Sequence, residues 1–222
     1  MLDRLDLRIE QGERIALIGE NGEGKTTIVK LLTRLYDPHR GKNSSRWSRP
    51  PRLQHGRPAK QVGVIFQDFM RYEMTARQNI AVGRITAAED AAIRGAASKS
   101  LADHVIERLP KQYDQLLGLR FEGGVDLSGG EWQKVALARA YMRDAQVVIL
   151  DEPTASLDAR SEYEVFQRFA ELTAGKTALL ISHRFSTVRM ADRIVVLEKR
   201  QNRRTGQPRE IALPGRAILR HV

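Results

Sequence analysis

Hydrophobic residues in this chain fall into short unbroken runs and longer, helically spaced stretches. Arg14 to Gly19 reads RIALIG, an apolar run closing on glycine, and Val62 to Phe66, Gln146 to Leu150 and Thr177 to Ser182 are similar runs. Runs of this length without alternation suit strands covered on both faces, hence parallel ones, each delivering the chain to a turn at its C-terminal end. Helical spacing predicts a helix from Thr26 through Leu32, an alanine-rich helical region from Thr75 to about Leu109, and a helix from Trp132 through Tyr141. Gly41 to Lys60 has no apolar period and contains Pro50, Pro51 and Pro58, so it reads as loop or disorder. Together these elements predict an α/β fold, a mostly parallel central sheet with an inserted helical subdomain. No internal repeat is visible.

Length and composition narrow the class. With 222 residues the chain can bury a substantial core in one α/β domain or two lobes. No stretch approaches the roughly 20 apolar residues needed to cross a bilayer, and the first residues lack a signal-like run, so a soluble intracellular domain is expected. Zero cysteines exclude a disulfide framework and a thiolate metal site. The net charge of +10 would ordinarily point to a nucleic-acid or anionic-membrane partner. Its distribution argues otherwise. Residues 43–59 hold Arg46, Arg49, Arg52 and Arg57 with no acid, and residues 199–222 hold one lysine and six arginines against Glu210. These two segments carry the whole excess, so the remaining domain is charge-neutral.

Chemistry enters at Gly19-Glu20-Asn21-Gly22-Glu23-Gly24-Lys25-Thr26, which fits G-x-x-x-x-G-K-[ST] between a predicted strand and a predicted helix. Glycines let backbone N–H groups approach phosphate oxygens, the helix N-terminus adds its positive end, Lys25 reaches the β and γ oxygens, and the Thr26 hydroxyl can ligate Mg²⁺. Thr27 completes this candidate nucleotide-binding set. The fold expected is thus that of a P-loop NTPase. Val147 to Glu152 is an apolar strand delivering two carboxylates at its C-terminal edge, where α/β sheets bind ligands. Asp151 can hold Mg²⁺, and Glu152 can polarise an attacking water as general base.

Leu127-Ser128-Gly129-Gly130-Glu131 adds a third feature. Ser128 and Glu131 have capping-box spacing, and two glycines beside a capped helix start make a second anion site, which one nucleotide cannot share with the first. LSGGE resembles the signature of the ABC transporter ATP-binding domains. In that family the signature closes on the γ-phosphate of ATP held by the opposite subunit, which implies a head-to-tail dimer with two sandwiched ATPs. The resemblance covers roughly residues 2–42 and 60–198. It assigns Gln67 to the Q-loop, sensing Mg²⁺ and contacting the membrane subunit, and Ser156-Leu157-Asp158 to the D-loop, with Asp158 at the dimer contact. It assigns His183 to the switch histidine at the γ-phosphate. FQDF, RYE, LSGGEWQ and ISHRFSTV are most similar to exporter-type domains.

The resemblance implies an ATPase with catalytic residues Glu152, His183 and Lys25, metal contacts from Thr26, Gln67 and Asp151, and ATP with Mg²⁺ as cofactors. Ser128, Gly129, Gly130, Glu131 and Asp158 join the nucleotide contacts. Partners implied are a transmembrane permease domain or subunit and a second ATP-binding domain, at the cytoplasmic face of the inner membrane, with no nucleic acid. The expected organisation is a core lobe of residues 1–66 and 141–198, a helical subdomain of 67–140, and atypical basic segments at 43–59 and 199–222.

Departures from the family pattern are specific. No aromatic residue lies between Met1 and Gly19, where the family's adenine-stacking residue is farther upstream, so the chain reads as N-terminally truncated. Read one nucleotide later, permitted codons turn residues 43–59 and 199–222 into strings resembling the family's strand, Asp-Gly turn and helix and its usual ending. Trp47 has a single codon and forces the glycine of that turn. Both segments are expected to be out-of-frame, leaving the lobe around the catalytic residues frayed, with genuine divergence or a basic arm binding anionic lipid or RNA as the alternative reading of them. An inactive or weakly nucleotide-binding fragment and a soluble ABC ATPase acting on nucleic acid are the alternatives at this point.

Overall fold

The computed structural model describes residues 2, 5–41, 43, 62–66, 68–151, 159–182, 188–198 and 201–206. The chain folds as two compact units. One comprises Met1–Val64, Gln146–Pro153 and Thr173–Val222, the other Ile65–Ala145 and Thr154–Leu172.

The first unit is built on a six-stranded sheet. Strands β1 (Arg14–Ile18), β2 (Val62–Ile65), β3 (Val147–Asp151), β4 (Thr177–Ile181), β5 (Arg193–Glu198) and β6 (Gln201–Gly206) lie in the order β2-β3-β4-β1-β5-β6. The pairs β3·β4, β4·β1 and β1·β5 are parallel. These are the apolar runs of the sequence. Ile15, Leu17, Ile149, Leu150, Leu180, Ile181 and Val195 have no measurable exposure or very nearly none, as strands covered on both faces require. Helix α1 (Lys25–Leu32) adds Ile28 and Val29 to that core.

Charge pairs fasten the opposite end of this sheet. Arg14 donates through its backbone N–H and guanidinium to Asp192 at 2.8–2.9 Å, and Arg193 forks onto the Glu13 carboxylate at 2.6 and 3.0 Å. Each joins the start of β1 to the start of β5. Two-point contacts of this kind fix register as well as adding energy. The Arg193 hydrogen bond holds the Glu13 carboxyl below its ordinary range, and the Arg14 hydrogen bond does the same for Asp192.

The second unit is helical: α2 (Ala76–Ala81), α3 (Asp90–Ser100), α4 (Asp103–Ile106), α5 (Gly129–Arg143) and α6 (Ala159–Thr173). Its core gathers Ile80, Ile93, Ile106, Leu117, Trp132, Val135 and Met142. The stretch from Thr75 to Leu109, expected as a helical region, is interrupted rather than continuous. Leu101 adopts φ 61 at the end of α3, a left-handed turn that no glycine announces. Tyr141 is half-buried and donates its hydroxyl to the Arg168 carbonyl at 2.7 Å, and desolvation pushes its pKa up to about 12.

The tail differs from expectation in one respect. Gln201–Gly206 forms a strand, pairing antiparallel with β5 across an irregularity at Val196/Leu197. Ladder hydrogen bonds use only backbone groups, so the sequence QNRRTG can extend an edge without supplying apolar side chains. Apart from Asn43 and this strand, the two basic segments lie outside the described residues.

The sheet-base pairs make stability pH-dependent in a defined direction. Glu13 and Asp192 have folded-state pKa values below their unfolded ones, so their contribution is present above the unfolded carboxylate range and is lost as pH falls through the folded values. The thermal midpoint should drop between about pH 5 and pH 3. The combined variant Glu13→Gln/Asp192→Asn should start lower at pH 7 and show a shallower drop in the same melting series.

Candidate functional site

The turn between β1 and α1 is shaped by two glycines. Gly24, the N-cap of α1, has φ 97, and no side chain caps the helix there. Gly19 lies so close to β5 that an added Cβ would sit 2.7 Å from the Leu197 carbonyl oxygen. The first intrahelical bond of α1 runs from the Ile28 N–H to the Gly24 carbonyl at 3.0 Å. The N–H groups of Lys25, Thr26 and Thr27 thus precede any acceptor within the helix, and they form the positive end that receives an anion. Lys25 is itself buried, and its ammonium donates to the Gly19 and Glu20 carbonyls at 2.7 and 3.0 Å. The lysine is held across the mouth of the loop. Glu20, Asn21, Gly22 and Glu23 form the outer turn, closed by the Glu23 N–H on the Glu20 carbonyl.

Sheet register brings the second group to this loop. Leu17 of β1 and Asp151 of β3 both pair with Ile181 of the intervening β4. The ends of β1 and β3 are therefore level, two strand spacings or roughly 10 Å apart. Asp151 is buried at that edge. Connections leaving β1 and β4 run to opposite sides in the strand order, and α/β sheets bind ligands at such a reversal. A buried carboxylate, a hydroxyl at Thr26 and an uncapped helix start form a donor set that fits Mg²⁺ bound to a nucleotide phosphate, since that ion takes one or two protein ligands plus phosphate oxygens.

In the helical unit, Ser128 caps α5. Its hydroxyl accepts from the Glu131 N–H at 3.3 Å, while the Glu131 carboxylate accepts from the Ser128 N–H at 2.9 Å. Arg108 reaches the other Glu131 oxygen at 3.5 Å. The first intrahelical bond is from Trp132 N–H to the Ser128 carbonyl, which leaves Gly129 and Gly130 N–H groups without a helical acceptor. Both Ser128 and Gly129 are exposed, and a Cβ built on Gly129 would meet nothing within 4 Å. The absence of a side chain at Gly129 leaves the helix start open.

Of the expected site residues, Gly19 to Thr27 and Asp151 lie at one sheet edge, and Ser128 to Glu131 lie at the start of α5. Gln67, Glu152, Asp158 and His183 lie outside the described residues. Two supporting side chains have no place in the sequence motifs. Arg139 of α5, half-buried, donates to the carbonyls of Met70 and Asn79 and to the Asn79 side-chain oxygen, with its guanidinium 4.7 Å from the Tyr72 ring centroid. Asn79 in turn donates to the Tyr72, Met74 and Thr75 carbonyls at 2.9–3.1 Å. Burial lowers the Arg139 pKa to about 10. Its acceptors are carbonyl oxygens rather than carboxylates, and a lone arginine on a helix gives no sign of that in the sequence.

The chain matches the model of the family described as "ABC transporter" over residues 2–155. This chain belongs to the ABC transporter family. It is 41% identical over 199 residues to the subtilin transport ATP-binding protein SpaT of Bacillus subtilis, covering 89% of this chain and 32% of that protein. It is 39% identical to the ATP-dependent lipid A-core flippase of Alkalilimnicola ehrlichii, covering 95% of this chain and 35% of the flippase. Among solved structures it resembles a bacterial Atm1-family ABC exporter with ATP bound, with TM-score 0.80 and 32% identity over 95% of this chain and 36% of the exporter. The chain spans about a third of the length of these relatives. Membership gives the two units their identity as an ABC ATPase domain on a P-loop NTPase fold, and an ABC ATPase domain implies nucleotide binding.

The contact between Gly19 and β5 gives a direct test. In Gly19→Ala the new methyl must displace Leu197 or the loop, at a cost of about 1–3 kcal/mol typical of overpacking. Nucleotide affinity, measured with a fluorescent ADP analogue, should fall by at least about tenfold, with a lowered melting temperature.

Proposed function

We propose that this chain is the ATP-binding and ATP-hydrolysing part of an exporter-type ABC transporter. The observation that carries the reading is the convergence at one sheet edge of an uncapped helix N-terminus, a buried lysine and a buried aspartate. In this reading the N–H groups of Gly24 to Thr27 and the Lys25 ammonium bind the phosphates of ATP. Lys25 exchanges its two loop carbonyls for phosphate oxygens, so it enters the complex already desolvated and positioned. Thr26 and Asp151, with Gln67, hold Mg²⁺, which when bound neutralises charge on the β and γ oxygens. Glu152, the residue after Asp151, accepts a proton from the attacking water, and His183 donates a hydrogen bond to the γ-phosphate.

Ser128, Gly129 and Gly130 present a second, separate anion-binding helix start. Its openness supports a head-to-tail dimer in which each chain's α5 completes the ATP site of the other, with Asp158 at the shared contact. The membrane-spanning part belongs to a permease domain or subunit, which puts this chain at the cytoplasmic face of the inner membrane. No helix among the described residues is long and apolar enough to cross a membrane. The exporter assignment is supported by the names of the relatives, which are transport ATP-binding proteins and flippases.

The test is steady-state ATP turnover. The wild-type chain should hydrolyse ATP in a Mg²⁺-dependent manner and lose activity on chelation. Glu152→Gln should reduce turnover by about 100-fold or more, the scale of general-base catalysis, while keeping nucleotide affinity. Equal turnover in the two proteins would remove the catalytic assignment.

A further inference from the structure

We propose that Asp126 and Trp132 act as a positioning pair that holds the Ser128–Gly130 loop in the shape that receives a nucleotide phosphate. The proposal rests on the reading of that loop given under Proposed function. Its basis is a second clamp around the same turn. One oxygen of the Asp126 carboxylate accepts both the Leu127 N–H and the Trp132 indole N–H, each at 3.0 Å. The two donors bracket Ser128 to Glu131, so the carboxylate ties the entry of the loop to the first turn of α5. The capping box of Ser128 and Glu131 closes the same turn from within.

The anchor of this clamp is buried. Trp132 is 1% exposed and lies in the apolar core of the helical unit, so its indole N–H is a fixed donor. Asp126 is exposed and contributes nothing to that core. An exposed carboxylate bonded to a buried indole transmits the rigidity of the core to a solvent-facing loop. The two donors also hold the carboxyl below its ordinary range, so it remains an ionised acceptor at neutral pH.

The preceding segment is fixed as well. The Gly118 N–H donates to the Val125 carbonyl at 2.8 Å, the Leu117 N–H to the Met74 carbonyl at 3.0 Å, and the Arg120 N–H to the Glu73 carboxylate at 3.0 Å. Asp126 and Trp132 line a cleft of ≈ 380 Å³ together with Glu73 and Arg120. Arg139 joins residues 70–79 to α5, so the segment that leads into the loop is tied to the same helix that the loop begins. An anion site held this way needs no reorganisation when its ligand arrives, which is how preorganised donors favour a charged transition state.

A purely structural pair would change stability without changing the division of function between the two anion sites. The experiment therefore uses three readouts on the full chain: affinity for a fluorescent ADP analogue, reporting the Lys25 loop; ATP-dependent dimerisation by sedimentation velocity; and ATP turnover. Trp132→Phe, which loses one hydrogen bond to the carboxylate, should weaken dimerisation and turnover by about fivefold to tenfold, and Asp126→Ala, which loses both, by at least as much, with ADP affinity unchanged in each. Asp126→Asn keeps an acceptor oxygen and should return both to within about twofold of wild type. In a Trp47→Phe background, Trp132 is the only tryptophan, and its emission should change in Asp126→Ala.

Three results would overturn the proposal: unchanged dimerisation and turnover in Asp126→Ala, a parallel fall in ADP affinity, or no recovery in Asp126→Asn. Ser128→Arg separates the two levels of inference. If it abolishes dimerisation while Asp126→Ala does not, only the positioning pair is wrong. If Ser128→Arg also has no effect, the reading of the loop as a partner's ATP contact fails and the pair fails with it.

Discussion

The parallel pairing of β3, β4 and β1 is the constraint on which the nucleotide site depends. Because Leu17 and Asp151 share Ile181 as a register partner, one slip of either strand would carry its terminal residue away from the common edge. Register is secured from both ends. At the base, Arg14 with Asp192 and Arg193 with Glu13 lock β1 to β5. At the top, Gly19 permits the phosphate loop to press against Leu197 of the same neighbour. The loop's shape thus follows from strand packing as much as from its own glycines.

In the helical unit α5 has the organising role. Its first turn is shaped by Ser128 and Glu131, its middle carries Arg139, and Tyr141 near its end reaches the backbone of α6. A half-buried guanidinium whose acceptors are carbonyls gains no countercharge from them to offset its desolvation, and the lowered pKa of Arg139 follows from that. What it ties to α5 is the Met70 carbonyl and both the backbone and side-chain oxygens of Asn79, the residue that itself donates to the Tyr72, Met74 and Thr75 carbonyls.

The sheet and the phosphate loop were largely legible in the sequence because a short, continuous apolar run ending in glycine or acid suits a buried parallel strand far better than a helix or a half-exposed strand. β1, α1, β2, β3, β4 and α5 all begin and end within three residues of the expected positions. The helical stretch after Thr75 was legible as helical but not as segments, since alanine-rich spacing continues through the left-handed turn at Leu101 without a glycine or proline to mark it. Two elements are absent from the expected set although both carry a signal: Val165, Phe169 and Leu172 of α6 repeat at helical spacing, and RIVVLE of β5 is an apolar run. β6 carries no such signal, for its pairing is a matter of backbone alone. The clamp on Asp126 and the frame around Arg139 are long-range or carbonyl-directed contacts, and no motif encodes either.

In the proposed function, binding of one Mg-ATP by the Gly19–Thr27 loop and Asp151 together is the step from which every later one follows. Isothermal titration of the purified chain with Mg-ATP measures it most directly, with Lys25→Ala as the comparison. The expected result is one nucleotide per chain and loss of detectable binding in Lys25→Ala, with the folded spectrum retained. Absence of binding by the folded wild-type chain, or binding indifferent to Lys25, would contradict it.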